Sequence, residues 1–335
     1  MHSGKSYHLG EFIMWTRRNI FWLVLIGVVP VILFEVFKIH WIAVPWTVVA
    51  LLGTATAFIV GFKNTQAYNR TWEARQIWGA IVNSSRSWGA MSKNMVIDDM
   101  KSKELIYRHF AWLTALRYQM RDSRVWETAS KPYNKEYSQF YHIPERETSL
   151  ESELAKYLPE EEMNALLKTK NRATQLLAKQ SKLLRELLDS DQLNALQYIE
   201  MQKVLNELFE HQGKSERIKN FPYPRQFSTI NTFFIRIFCF LLPFGMVIEF
   251  AKLNDYVDGF MKGYMVWLVV PFSVLISWVF TSLEQVGESA ENPFEGSAND
   301  VPISQISRTI EIDLREMLGE TELPPAITPM NNIVL

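Results

Sequence analysis

Thr54, Phe58 and Phe62 fall four residues apart in a stretch without charge, so a helix carries them as a shallow stripe on one face. Such side chains make and break no bonds. Repeated around an axis, they form a narrow apolar tube that strips water from an ion and sets a barrier. Phenylalanines turned toward lipid are the alternative reading of the same spacing. The next stretch bears on the choice. From Gly61 to Arg86 the chain reads GFKNTQAYNRTWEARQIWGAIVNSSR, with Asn64, Gln66, Asn69, Arg70, Glu73, Arg75, Asn83 and Arg86 among its side chains. That density of amides and charges suits a water-filled vestibule better than a lipid headgroup flank. The helix is expected to keep lining something wet. Gly53, Ala55, Ala57 and Gly61 are interspersed with the stripe, which lets neighbouring backbones approach closely.

Other chemistry finds little support. There is no phosphate-binding glycine loop, no GxGxxG, no HExxH and no GxSxG, and no enzyme or cofactor is expected. The single cysteine, Cys239, rules out an internal disulfide and a cysteine metal cluster. Six histidines fall outside ligand spacing, and His109, on an apolar helical face, reads as a hydrogen-bonded core residue. Glu284, Glu288, Glu291, Glu295 and Asp300 offer oxygen ligands for a hard cation but lack the alternating acids and glycine of an EF-hand loop. They read as a solvated juxtamembrane face. A net charge of −1 gives no support to a nucleic-acid partner.

The elements that must position the stripe are apolar and long. Ile20 to Phe34 is uncharged, and Trp41 to Phe62 is uncharged over about 22 residues, enough for a helix to cross ~30 Å of hydrocarbon. Ile237 to Ile248 extends backward through TFFIR, and Gly263 to Leu283 is again uncharged. Arg236, inside the third segment, lies near its flank and reads as a snorkelling side chain. Four spans are expected. Arg17 and Arg18 precede the first, Lys63, Arg70 and Arg75 follow the second, and Arg217, Lys219 and Arg225 precede the third. By the positive-inside rule both termini and the central segment are cytoplasmic, in a multi-pass protein of the plasma (inner) membrane.

The central segment, roughly 64–230, reads as helical. Leu105, His109, Trp112 and Leu116 share a face, and Leu176, Leu177, Leu183, Leu184, Leu187 and Leu188 form a stripe. Thr148 with Glu151 reads as a capping box, and Pro159 before Glu160, Glu161 and Glu162 as a helix start. Trp126 to Glu147 reads as a surface connection. Ile306, Ile310, Leu314 and Leu318 predict an amphipathic helix stopping at Gly319, followed by an extended tail. The expected organisation is 1–63 with the first two spans, 64–230 as the helical region, 231–283 with the last two spans, and 284–335 as C-terminal helix and tail, all one intertwined channel domain.

At three of these stretches the sequence resembles the bestrophin family of ion channels, in particular its shorter prokaryotic members. They are FIVGFKNTQAYNRTWEARQIWGAIVNSSR, SERIKNFPYPRQFS before the third span, and EQVGESAENPFEGSANDVPISQISRTIEIDL after the fourth. Gly61, Asn64, Arg70, Trp72, Glu73, Arg75, Asn83, Arg86, Asn292, Pro293 and Phe294 carry the signature. The resemblance implies an all-α membrane protein, four transmembrane helices with a large helical cytoplasmic region, assembled as a homopentamer around a central pore. Its neck rings then fall on Thr54, Phe58 and Phe62, with threonine where an aliphatic residue is usual, and a second constriction falls on Leu196. Animal members are calcium-activated and hold calcium with acids after NPF. Here Asp300 keeps one such place and Ser297 replaces the other, so the clasp is an incomplete remnant and no metal is expected.

The function expected is a pentameric channel for small monovalent ions, anions such as chloride, with the bilayer, the ions and its own copies as partners. A monovalent cation channel of the same fold stays open, because the neck carries no charge and the family contains both kinds. From another class, a membrane-anchored signalling or scaffold protein also stays open. A secondary transporter is disfavoured, since no inverted repeat is visible.

Overall fold

Pro45 lacks a backbone donor and presets its own φ, so it suits the entry to a helix, and its carbonyl takes the amide of Val48 at 3.0 Å. The helix it opens runs Trp46–Met95, 50 residues. At 1.5 Å per residue it is about 75 Å long, more than twice the thickness of hydrocarbon. One rod therefore serves both an apolar and a polar environment. The computed structural model describes residues 1–335 and is all-helical apart from isolated bridges at His2, Met330 and Ile333.

The helices are α1 (Leu9–Glu35), α2 (Trp46–Met95), α3 (Asp99–Arg121), α4 (Pro132–Tyr137), α5 (Pro144–Glu147), α6 (Leu150–Leu154), α7 (Glu160–Leu167), α8 (Arg172–Asp189), α9 (Ala195–Asn220), α10 (Arg225–Lys252), α11 (Val269–Ala290) and α12 (Ile303–Met317). They divide between two compact units.

The first unit takes Lys5–Asn69 and Tyr223–Glu291. Four helical stretches, Leu9–Glu35, His40–Met95, Arg225–Asp255 and Met265–Ala290, are long and apolar enough to cross a membrane. The expected four spans are present, with shifted ends. The second begins at Trp46 because Pro45 follows a short turn, and the third starts as far back as Arg225. Polar side chains tie α1 to α11: Trp278 Nε1 donates to Thr16 Oγ1 at 2.9 Å, and Asn19 Nδ2 to Gln285 Oε1 at 3.1 Å. Gly53 lies against α10, where an added Cβ would come within 2.7 Å of the Phe238 ring. Its small size serves packing inside one chain.

The second unit takes Met1–Gly4, Arg70–Pro222 and Asn292–Leu335. Its core is aromatic and leucine-rich, with Trp78, Trp88, Trp112, Leu105, Leu176, Leu184 and Leu314 among its fully buried side chains. Asp98 caps α3 by accepting from the amides of Met100 and Lys101, and Asn194 with Gln197 forms a capping box on α9. The box expected at Thr148 and Glu151 is absent. Ser149 caps α6 by accepting from Ser152 N at 3.2 Å, while Thr148 Oγ1 bonds Pro144 O and the Tyr118 hydroxyl. His109 is the core residue the periodicity predicts: fully buried, with Nε2 2.9 Å from Ser85 Oγ, and held neutral by burial, which lowers its pKa to about 3.

One further expectation for this unit needs correction. Segment 126–147 is no surface connection, because Thr128, Tyr141, Ile143 and Glu145 are buried. Charge pairing explains it: Glu145 meets Arg117 at 2.5 Å and Arg121 at 3.4 Å and takes the Ser304 hydroxyl at 2.6 Å. The tail after α12 is non-helical, as expected, and its end packs on its own chain, burying Ile333 and Leu335 against Tyr141, Ile143 and Ala298.

Candidate functional site: the exposed face of α2

Buried and exposed positions alternate along α2 with helical period. Gly53, Thr56, Val60, Lys63, Ala67 and Ala74 face inward, while Thr54, Phe58 and Phe62 face out. The phenylalanines are 65% and 70% exposed. Thr54 behaves as an aliphatic residue would, because its hydroxyl donates back to Ala50 O at 3.0 Å and leaves a methyl for the surface. Thr65 does the same toward Gly61 O. The three neck candidates therefore form one apolar strip on one helix. Below it Phe62, Gln66, Asn69, Glu73, Gln76 and Ala80 recur at spacings of three and four, turning the strip polar.

Several of the signature residues hold this rod in place. Arg70 donates from Nη2 to the carbonyls of Ile218 and Phe221 at 2.9 and 3.0 Å, capping the C-terminus of α9, where a cation also suits the helix dipole. Glu73 pairs with Arg217 of α9, and Arg86 with Asp313 of α12 at 2.7 Å. Trp72, Arg75 and Asn83 are exposed. Gly61 has open space beside its Cα, whereas Gly287 of α11 lies against Asn64, whose Oδ1 would be 2.1 Å from an added Cβ. In the turn after α11, Asn292 is buried and Phe294 packs its ring 6.3 Å from that of Trp78, while Pro293 O takes the amide of Val301 at 3.1 Å. Leu196, in the first turn of α9, is 76% exposed.

The acidic series does not form the expected solvated face, since Glu291, Glu295 and Asp300 are buried. Nor does Asp300 suit calcium. Its Oδ2 takes Arg121 Nη1 at 3.1 Å and Gly296 N at 2.7 Å, and its Oδ1 takes Ser297 Oγ at 2.5 Å. A guanidinium at that distance supplies the positive charge a hard cation would bring and repels a second one. Glu295 accepts the Thr128 amide and hydroxyl at 2.8 and 2.6 Å. Burial first, then the charge of Asp300, nonetheless push its carboxyl up to about 8, against those hydrogen bonds.

Sequence reasoning missed a polar group behind the strip. Lys63 reads as a flanking charge but is only 3% exposed. Lys63 Nζ, Asn64 Oδ1, both amide atoms of Asn231, Ser282 Oγ and Glu284 Oε1 lack protein partners. Gly53 against Phe238, and Gly245 against Val49, set α2 and α10 antiparallel in a register that brings Asn231 to the level of Val60. Donors and acceptors are mixed there, which is the composition that buried water satisfies. Only the residue types hinted at it, as an amide and a carboxylate at the very edges of apolar segments.

The chain has known relatives. The bacterial and fungal bestrophin description matches residues 13–316, and the chain belongs to that family. A voltage-dependent anion channel-forming protein of Escherichia coli, YneE, is 28% identical over 280 residues, covering 84% of this chain and 79% of the relative. A voltage-dependent anion channel-forming protein of a Ralstonia species is 24% identical over 292 residues, covering 85% and 82%. The fold is that of a bacterial bestrophin homologue from Klebsiella pneumoniae, with TM-score 0.76, 24% identity, and coverage of 91% and 99%. The chain is thus an all-α, multi-span membrane protein.

Proposed function

We propose that this chain is the subunit of a homopentameric channel that passes small monovalent anions, chloride among them, without chemical transformation. The observation that carries the reading is the apolar strip of Thr54, Phe58 and Phe62, exposed on a helix that continues as a polar surface. An exposed apolar strip has two outlets, lipid or the axis of an assembly. Lipid leaves the amides and charges that extend the same face without a reason, and a wet axis accounts for both. Five copies of α2 around that axis make the neck, with Leu196 as a second apolar constriction on the cytoplasmic side. Both termini and the region 64–230 are cytoplasmic in this reading, following the arginines and lysines at the span ends. The names of the relatives favour anions.

A planar bilayer containing only the purified protein, recorded under a potassium chloride gradient, tests existence and sign of conduction together. A reversal potential near the chloride equilibrium value supports the reading. A value near that of potassium replaces the anion with a cation, and absence of current favours a membrane-anchored scaffold.

A further inference from the structure

Uncharged neck rings set a barrier without choosing the sign of the ion, so the choice must be made elsewhere. Along the polar continuation of the strip, Gln66, Asn69, Glu73, Gln76 and Ala80, the only ionised side chain is Glu73. It lies 11 residues beyond Phe62, about 16 Å along the helix. Five bare carboxylates at that depth would be a ring of the kind that selects cations. Glu73 is not bare. Arg217, from the last turn of α9, donates its Nη2 to Glu73 Oε1, and the two side chains stay 57% and 43% exposed.

We propose that Arg217 is the specificity-determining residue of the vestibule: by neutralising Glu73 it keeps a cation-selecting ring switched off and leaves the pore open to anions. This rests on the channel reading above. Stability is not the point of the pair, since exposed ion pairs contribute little to folding. Its contribution is to the field an ion meets, since a cleft with low-dielectric walls focuses the field of the charges that line it. The anchoring is specific. Arg70 holds the end of α9 through the carbonyls of Ile218 and Phe221, one of them the residue next to Arg217, so the guanidinium is delivered to Glu73 by a capped helix end. Lower on α2, Asp313 is matched in the same way by Arg86 at 2.7 Å, while Glu207 takes the Ser84 hydroxyl at 3.0 Å.

The test is the reversal potential of full-length wild type, Arg217→Gln, Arg217→Lys, Glu73→Gln and the double variant Glu73→Gln with Arg217→Gln, under a potassium chloride gradient at low ionic strength. Arg217→Gln should lower the chloride-to-potassium permeability ratio by roughly fivefold, the scale of one uncompensated charge at about 4 Å in water. Arg217→Lys should keep the wild-type ratio, and the double variant should return to within about twofold of it. The shift should shrink as salt rises. A wild-type ratio in Arg217→Gln, with wild type itself selecting anions, overturns the proposal and spares the channel reading. Low anion selectivity in the double variant assigns Arg217 a merely structural role and also overturns it. If wild type passes no current, or passes cations, the channel reading falls first and this inference with it.

Discussion

Phe58 and Phe62 are large, apolar and exposed on the same helical strip, and each change to Ala removes a ring while keeping a good helix former. The double change Phe58→Ala with Phe62→Ala is expected to raise single-channel conductance and open probability. Ion sign should move less, since no charge is lost. Unchanged conductance would falsify the placement of this strip at the pore. Glu295 makes a second prediction, about pH. Its folded carboxyl binds a proton more tightly than the unfolded one, whose value is near 4.5, so between 4.5 and about 8 the folded state retains a proton that the unfolded state has released. Stability therefore falls as pH rises through that window and levels off above it. The charged groups around it include Asp300 and Glu127, which oppose ionisation, Arg146, bonded to the Glu295 carbonyl at 2.9 Å, and Arg121 and Lys219, bonded to Asp300 and Glu127. Glu145 runs the other way: its carboxyl is held below the usual range by Arg121 and Arg117 against the cost of burial, so its contribution is lost only in acid. The thermal midpoint of the detergent-solubilised protein should drop from pH 5 to pH 8, and Glu295→Gln should flatten that slope. An equal slope in the variant would place the titrating group elsewhere.

At the scale of the element, α2 is positioned just below its apolar strip by one close contact. Asn64 Oδ1 occupies the space where a Cβ on Gly287 would sit, 2.1 Å away, and Asn64 is two residues past Phe62. Gly287→Ala must push α2 or α11 aside, at a cost of about 1–3 kcal/mol typical of overpacking. The expected result is lower thermal stability together with altered open probability. Adding Asn64→Ala should restore both, because it deletes the atom in the way. Failure of the second change to rescue the first would mean that other contacts set the spacing of these two helices.

For the whole molecule, the small residues of α2 separate into two groups. Gly53 is buried against Phe238 of its own chain, whereas Ala55, Ala57 and Gly61 are exposed on the isolated subunit. Substitution at the first should damage the subunit, and at the second the assembly. Ala57→Leu is predicted to reduce the fraction of intact oligomer in detergent, measured as mass by light scattering, with the subunit still helical. Gly53→Leu should instead cut expression and helicity, since a Cβ alone already meets the Phe238 ring at 2.7 Å. Unchanged mass and stability in Ala57→Leu would turn that residue toward lipid.

What the sequence by itself determined is local and periodic. The four spans, the stripe of Thr54, Phe58 and Phe62 and the amphipathic helix over Ile303–Met317 all follow from residue type and spacing within a few turns. Helix ends needed more, because Pro45 and Ser149 act through the geometry of single turns. Only the tertiary structure decided which charges meet. Glu73 and Arg217 are 144 residues apart, Arg121 and Asp300 are 179, and Lys63 and Glu145 lie buried despite sequences that read as surface. The physical reason is that such contacts depend on the register in which helices distant in sequence pack. A shift of one residue turns a side chain by about 100° around its helix, and no local pattern records which register the packed core selects.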